Sequence, residues 1–204
     1  MIRYMMLSAA LLAAPLAATT IDDVQAAFAR TTTMTADFTQ TAASGQVVTG
    51  SMSLKRPGRI RFDYGPKARQ LVVADGRTLS FVDYSVAQVS QWPVRSTPLG
   101  VLLDPAADLA KVAKVLPAAQ SPVPGAVAVL AQDPKKPEQG KIIVLLTPDA
   151  AAPGGLRLSG WRVIDAQNNL TTVELSNVKL NVPVADTRFS FRDPRRQLVP
   201  GRSY

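Results

Sequence analysis

Residues 50–83 read GSMSLKRPGRIRFDYGPKARQLVVADGRTLSFVD, and this stretch decides the fold. Apolar residues alternate with serine, arginine or aspartate, which is the period of strands that bury one face. Asp75-Gly76 is a strong hairpin dipeptide, and Lys55-Arg56-Pro57-Gly58 places two cations beside a turn. The pattern predicts four antiparallel strands with one continuous apolar face, formed by Met52, Leu54, Ile60, Phe62, Leu71, Val73, Leu79 and Phe81. Such a face could hold an apolar ligand or simply cover a core.

The N-terminus has the pattern of an export signal. Arg3 precedes an apolar run over residues 5–14, and PLAA follows at positions 15–18. A charged start, an apolar centre and a small-residue end are typical of a cleavable signal peptide. We therefore expect a signal peptide over residues 1–18 and a single mature domain over residues 19–204, located outside the cytoplasm.

The chain contains no cysteine and no histidine. Without cysteine it can have no disulfide framework, no thiolate metal site and no cysteine nucleophile. It also lacks the cysteine to which bacterial lipoproteins attach their lipid. Without histidine, serine–histidine–acid catalysis is excluded and a zinc site would need carboxylates alone. Carboxylate-pair and serine–lysine chemistry stay open, but the composition argues against an enzyme and predicts no metal and no cofactor.

The formal net charge is +8, which would suit nucleic acid, anionic head groups or an acidic protein as a partner. However, Arg59, Arg61, Lys67 and Arg69 alternate with apolar residues, as the solvated face of a sheet does. No phosphate-binding loop accompanies them, so we expect no nucleic-acid partner. A denser set of arginines near the C-terminus could form a docking surface: Arg188, Arg192, Arg195, Arg196 and Arg202.

The remaining chain predicts more strands and a few helices. Thr20-Ile21-Asp22-Asp23 forms a capping box and predicts a helix over residues 21–30. Thr97-Pro98 predicts a second helix start, and residues 108–116 predict a short third helix. About ten strands are expected in all, the last of them at Phe189-Ser190-Phe191. The helices either pack onto the sheet or form a lid over a cavity, and the pattern leaves both open.

Hairpin-length connections indicate an antiparallel sheet, and a sheet of this size has to curl, close or be covered. The expected fold class is therefore mainly β with a few helices. Its architecture is an unclosed, strongly curved antiparallel half-barrel with helices across its mouth. The mouth of such a barrel is a usual place for an apolar ligand.

Several short motifs, taken in order, resemble the LolA family of periplasmic carriers, which move lipoproteins to the outer membrane of Gram-negative bacteria. The resemblance extends over the whole mature chain. It rests on Phe38-Thr39-Gln40, Gly50, Leu54-Lys55-Arg56-Pro57, Arg61-Phe62-Asp63-Tyr64, Gln70-Leu71-Val72, Asp75-Gly76, Val82-Asp83-Tyr84, Pro98-Leu99, Leu102-Leu103, Trp161-Arg162-Val163-Ile164-Asp165 and Phe189-Ser190-Phe191.

The resemblance implies a half-barrel with a helical lid, around a cavity that accepts lipoprotein acyl chains without covalent chemistry. It also implies three partners: the lipoproteins, the inner-membrane LolCDE complex that loads them, and the outer-membrane receptor LolB. We expect the carrier to be a monomer in the periplasm. Arg56 matches the family arginine that latches the empty lid through backbone carbonyls. The residues expected to line the cavity are Phe38, Met52, Leu54, Ile60, Phe62, Phe81, Leu99, Leu102 and Leu103.

Two alternatives compete with the carrier. One is a regulatory module that senses lipids or lipoproteins in the periplasm and binds a membrane protein, but such regulators usually carry an additional domain. The other is a hydrolase, which the missing histidine and cysteine disfavour. A receptor of the LolB type is disfavoured because it would need the missing lipidated cysteine.

Overall fold

The structure is a computed structural model that describes residues 18–94, 103, 108–132 and 140–197. Within these ranges eleven strands form one sheet in the order β6-β5-β4-β3-β2-β1-β11-β10-β9-β8-β7, and every pair is antiparallel. The strands are β1 (Thr33–Thr41), β2 (Val47–Lys55), β3 (Arg59–Asp63), β4 (Gln70–Asp75), β5 (Thr78–Asp83), β6 (Gln88–Pro93), β7 (Ala113–Val115), β8 (Val127–Ala131), β9 (Lys141–Pro148), β10 (Leu156–Ile164) and β11 (Leu170–Leu180). The expected mainly-β fold with an unclosed antiparallel sheet is confirmed.

Three α-helices lie in the described ranges: α1 (Ile21–Arg30), α2 (Gly65–Ala68) and α3 (Leu109–Val112). The predicted capping box starts α1, because the Thr20 hydroxyl accepts from the Asp23 amide and the Asp23 carboxylate accepts from the Thr20 amide. Val24, Ala27 and Phe28 form its buried face. That face packs against α3, β7, β10 and the 3-10 turn Pro153–Gly155.

Two predicted elements are wrong. The helix expected over residues 108–116 ends at Val112, and the chain continues as β7 because its backbone pairs with β8. The strand expected at Phe189-Ser190-Phe191 is instead the end of a 3-10 turn, Asp186–Phe189, followed by irregular chain. The predicted helix start at Thr97-Pro98 lies outside the described residues.

The sheet is strongly curved. Strands β3 and β10 are separated by β2, β1 and β11, so four strand spacings would put them about 19 Å apart in a flat sheet. Yet the rings of Phe62 on β3 and Trp161 on β10 make an edge contact with centroids 5.7 Å apart. The concave face therefore folds onto itself, and its two halves share one core.

The single apolar wall expected for residues 50–83 is wrong at Leu71 and Val73. Leu79 faces the concave main core, whereas Leu71 and Val73 belong to a second cluster on the convex side. Residues 182–191, here called the C-terminal strap, cover that convex side and bury Phe189. Strands β4 and β5 have buried apolar residues on both faces, so alternation does not reveal which face is directed inward.

The described residues include no helix that is both long and apolar enough to cross a membrane.

Gly154 lets α1 sit directly on the 3-10 turn beside β10. Its φ is +78°, and a Cβ placed there would lie 2.8 Å from the Cα of Ala27. The next residue, Gly155, has φ +75° but no atom within 4 Å of a built Cβ. The two glycines therefore share the left-handed backbone and differ only in their distance from the helix.

We expect Gly154→Ala to lower the free energy of unfolding by about 2–4 kcal/mol, because it adds a collision with the α1 backbone to the backbone strain. Gly155→Ala carries the strain alone and should cost about 1 kcal/mol. Urea unfolding of the two variants measures the difference. Equal losses would show that α1 does not rest on this turn.

Candidate functional site

Six of the nine residues predicted to line a cavity lie together in the main core. Phe38, Met52, Leu54, Ile60, Phe62 and Leu103 are all at most 5% exposed and belong to the buried cluster of the concave face. Phe81 points to the same face but is half-buried. Leu99 and Leu102 lie outside the described residues. The structure thus brings the described members to one surface, where they are packed against other residues.

The opposite wall of this interior was missed by the sequence analysis. It comes from the other half of the sheet, through Val144, Leu146, Leu156, Leu158, Trp161 and Leu180. Leu156 and Leu158 alternate with polar residues on β10, which was a usable signal. The signal was hard to interpret because β9, KIIVLLTP, is apolar on both faces.

An edge-to-face row of aromatic rings occupies one end of the interior. The Phe38 centroid lies 5.5 Å from Phe62 and 5.1 Å from Tyr64. Gly50 makes room for Phe38, since a Cβ there would be 2.8 Å from its ring and 2.1 Å from the carbonyl oxygen of Asp63. Tyr64 donates a 2.9 Å hydrogen bond to the Gln40 side chain, and burial raises its pKa to about 12. This end is therefore poorly accessible to water.

Helix α1 and Leu103, here together called the cover, lie over the concave face. The Gly58 amide donates a 3.0 Å hydrogen bond to the Leu103 carbonyl, which joins Leu103 to the β2–β3 turn. The Leu109 amide donates to the Gln25 side chain at 3.3 Å, which connects α1 to the chain after Leu103. These two hydrogen bonds attach Leu103 to the sheet and α1 to α3.

Arg56, the predicted latch, contacts the C-terminal end of α1. Its Nε donates a 2.9 Å hydrogen bond to the carbonyl oxygen of Thr31, the residue that caps α1. The guanidinium also lies 5.1 Å from the centre of the Phe28 ring, within the range of a cation–π contact. Carbonyls at a helix end lack partners within the helix, so an arginine placed there satisfies one and complements the dipole.

Asn181 forms a second polar contact to the same helix end, and sequence analysis did not identify it. Its Nδ2 donates to the Arg30 carbonyl at 3.0 Å, while its Oδ1 accepts from the amide of Thr32 at 2.9 Å. The residue holds φ +53°, a conformation that asparagine tolerates better than most side chains. Arg56 and Asn181 therefore satisfy two successive carbonyls, those of Thr31 and Arg30.

The space enclosed under α1 is very small. A cavity of about 10 Å³ lies between the helix and the strands below it. This is about the space one water molecule needs, whereas a cavity that admits benzene measures roughly 150 Å³. Apart from Thr31 and Arg56 its walls are apolar; they are Ala27, Phe28, Thr31, Met34, Leu54, Arg56, Leu146, Leu156, Leu158 and Leu180. The helix is therefore packed closely against the strands at this point.

The charged residues of the convex side mainly hold the C-terminal strap. Asp186 accepts from both Lys55 and Arg59 at 2.6 Å, and the hydrogen bond from Lys55 is the main reason that its pKa is lowered. Arg188 donates to the buried Ser53 hydroxyl at 2.8 Å. Arg188 therefore has an internal partner, and Arg202 of the predicted docking surface lies outside the described residues. Among the described residues, no three Asp or Glu side chains come together as a possible metal site.

The sequence comparisons with known proteins agree on one family. The sequence model of the family described as outer membrane lipoprotein carrier protein LolA matches residues 29–192. A protein of Chromobacterium violaceum named outer-membrane lipoprotein carrier protein is 29% identical over 195 residues, which cover 92% of this chain and 90% of its own. One of the same name from Nitrosospira multiformis is 30% identical over 189 residues, with 87% and 86% covered. A solved LolA superfamily protein from Nitrosomonas europaea superposes with a TM-score of 0.44 at 13% identity, covering 85% of this chain and 99% of that one.

We expect Asn181→Gly to loosen the C-terminal end of α1, because glycine keeps the left-handed backbone but removes the bonds to Arg30 and Thr32. The stability loss should be about 1–2 kcal/mol, and hydrogen exchange at the Thr32 amide should accelerate. Asn177→Gly is the matched control, because Asn177 has φ +51° and its side chain bonds the exposed Asp37 instead. Unchanged exchange at Thr32 in Asn181→Gly would contradict the assignment.

Proposed function

The chain belongs to the LolA family of outer membrane lipoprotein carrier proteins, and we propose that it carries lipoproteins by enclosing their acyl chains in the concave interior. The observation that supports this most is the continuous apolar interior between the two halves of the sheet, with a separate helix over it. Phe38, Met52, Leu54, Ile60, Phe62, Phe81 and Leu103 would contact the chains, together with Leu99 and Leu102.

The cover has to move before cargo can enter. A gap of about 10 Å³ under α1 cannot take even one acyl chain, so the helix would have to shift before a chain could lie there. Opening would expose Val24, Ala27, Phe28 and Leu103, which are at most 6% exposed here. Acyl chains would then occupy the surface that these side chains leave.

The replacement of the cover's side chains by acyl chains explains how a carrier can bind a lipoprotein tightly enough and still release it. Each buried methylene contributes about 0.8 kcal/mol, so acyl chains in a preformed cavity would hardly dissociate. Here cargo replaces apolar contacts that the cover already makes, and only the difference between the two sets appears as affinity. Transfer to an acceptor could then proceed on a modest affinity gradient without nucleotide hydrolysis at the carrier.

The wider pathway follows from the same proposal. The protein would act as a monomer in the periplasm, after removal of the signal peptide that residues 1–18 predict. It would receive lipoproteins from the inner-membrane LolCDE complex and deliver them to the outer-membrane receptor LolB. A carrier of this kind needs no catalytic group, cofactor or metal, because loading and release are changes of apolar contact.

The proposal is tested with the mature protein and inner-membrane vesicles that contain LolCDE and a labelled lipoprotein. We expect ATP-dependent release of the lipoprotein as a soluble complex with one copy of the carrier, measured by size-exclusion chromatography. A LolA protein from another species serves as the positive control. If that control releases cargo and this protein does not, the carrier function is wrong.

Arg56→Leu tests the latch in the same assay. The variant loses a charge-assisted hydrogen bond worth about 1.5–3 kcal/mol in the closed form, so closure competes less well with cargo. We expect the variant to load normally. Its equilibrium constant for transfer of cargo to LolB should fall at least tenfold, and a factor of ten corresponds to about 1.4 kcal/mol. The reason is that transfer ends in the closed, empty carrier.

Arg59→Leu is the matched control for this prediction. Arg59 lies on the same turn but points to the convex side and pairs with Asp186. It should leave both loading and transfer near the wild-type level. Equal defects in the two variants would show that lost charge, rather than the bond to Thr31, causes the effect.

A further inference from the structure

The concave face becomes gradually more exposed toward the β6 edge of the sheet. One cross-strand row joins Ile60, Ala74, Leu79 and Trp92, which are register partners on β3, β4, β5 and β6. Their exposed fractions are 1%, 0%, 8% and 47%. Directly paired residues share a face of the sheet, so Trp92 lies on the same side as the main core. The row therefore leads from the closed interior to solvent.

A second row runs beside the first and has the same trend. Phe62 pairs with Val72, and Val72 pairs with Phe81. Phe62 is buried, whereas Val72 and Phe81 are both half-buried. On β6 this second row ends in Ser90, the partner of Phe81, so Trp92 is the apolar residue of the strip at the edge. The strip formed by the two rows is continuous with the residues that the carrier proposal assigns to cargo.

The position of Trp92 at an edge makes the strip approachable. Strand β6 is the last strand in the sheet order and pairs only with β5 among the described strands. A large indole that is 47% exposed on the concave side loses the free energy that burial would supply. The strip continues into the interior that the carrier proposal assigns to acyl chains. The occupant of the strip would therefore be a linear hydrocarbon chain rather than a polar ligand.

We propose that Trp92, with Phe81 and Val72, forms the entrance through which an acyl chain passes from the β6 edge into the concave interior. This inference rests on the proposed carrier function and specifies the route. The chain would first lie along Trp92 and Phe81, at surface already accessible in the closed form. It would then advance along Leu79, Ala74 and Ile60 into the concave interior.

The two tryptophans of the chain provide a direct test. Trp92 lies at the proposed entrance and Trp161 is buried in the core, 3% exposed. Trp161→Phe leaves Trp92 as the sole reporter, and Trp92→Phe leaves Trp161. The mature variants are mixed with fatty acids that carry bromine, a short-range quencher of indole fluorescence, either near the carboxyl end or near the methyl end. Equilibrium dialysis measures binding of each fatty acid independently.

We expect bromine near the carboxyl end to quench Trp92 more, and bromine near the methyl end to quench Trp161 more. If fatty acid binds and quenches Trp161 but leaves Trp92 unaffected, the entrance is wrong while the carrier function stands. If dialysis detects no binding, and the vesicle assay detects no soluble complex, the carrier function itself fails. Should Trp161→Phe unfold, the difference between the wild type and Trp92→Phe gives the Trp92 signal.

Loading kinetics provide a second readout. Trp92→Ser should slow lipoprotein loading several-fold and leave the melting temperature unchanged, whereas Trp92→Phe should restore the wild-type rate. Val86→Ser is the matched control, since Val86 is 66% exposed on the turn between β5 and β6. Equal rates in Trp92→Ser and Val86→Ser would overturn the proposal. So would light scattering that shows a dimer for the wild type and a monomer for Trp92→Ser, because the strip would then be a dimer contact.

Discussion

The structure depends on the need to remove one face of a single eleven-stranded sheet from water. No second sheet is available among the described elements to cover it, so the sheet curls until β3 meets β10 and the rings of Phe62 and Trp161 touch. Among the described elements, helix α1 packs its buried face against β7 and β10 on the concave side. Because the helix is not a strand, its displacement would leave the pairing of the sheet intact.

The stability of the cover on the concave face depends on two kinds of contact, apolar and polar. Its apolar side chains are interchangeable with any other hydrocarbon of similar size, whereas its polar contacts at Arg56, Asn181 and Gly58 are specific in direction. In the proposed carrier, the apolar contacts would set how well cargo competes, and the polar contacts would fix the position of the helix when it is closed. A few such contacts of about 1–3 kcal/mol suffice to shift an equilibrium between closed and loaded forms.

Local signals predicted most of the secondary structure and half of the candidate site. The α1 capping box and the β2–β3 and β4–β5 hairpins depend on neighbouring residues, so sequence alone reveals them. Leu71 and Val73 were assigned to the wrong face because the C-terminal strap covers the convex side, a contact more than 100 residues away in the chain. Asn181 was missed for the same reason, since its partners lie at Arg30 and Thr32.

The exposed edge at β6 bears on the free-energy cost of opening the core. A fully covered apolar face would offer cargo no first contact, and opening would have to precede binding at the full cost of exposing the core. On the proposed route, a face whose exposure rises from Ile60 to Trp92 would let each segment of hydrocarbon bury new surface as the cover retreats. The cost of opening is then met in small steps, each offset by about 0.8 kcal/mol for every methylene buried. On the proposed route, the unclosed edge of the sheet would let cargo reach an interior whose other side chains are buried.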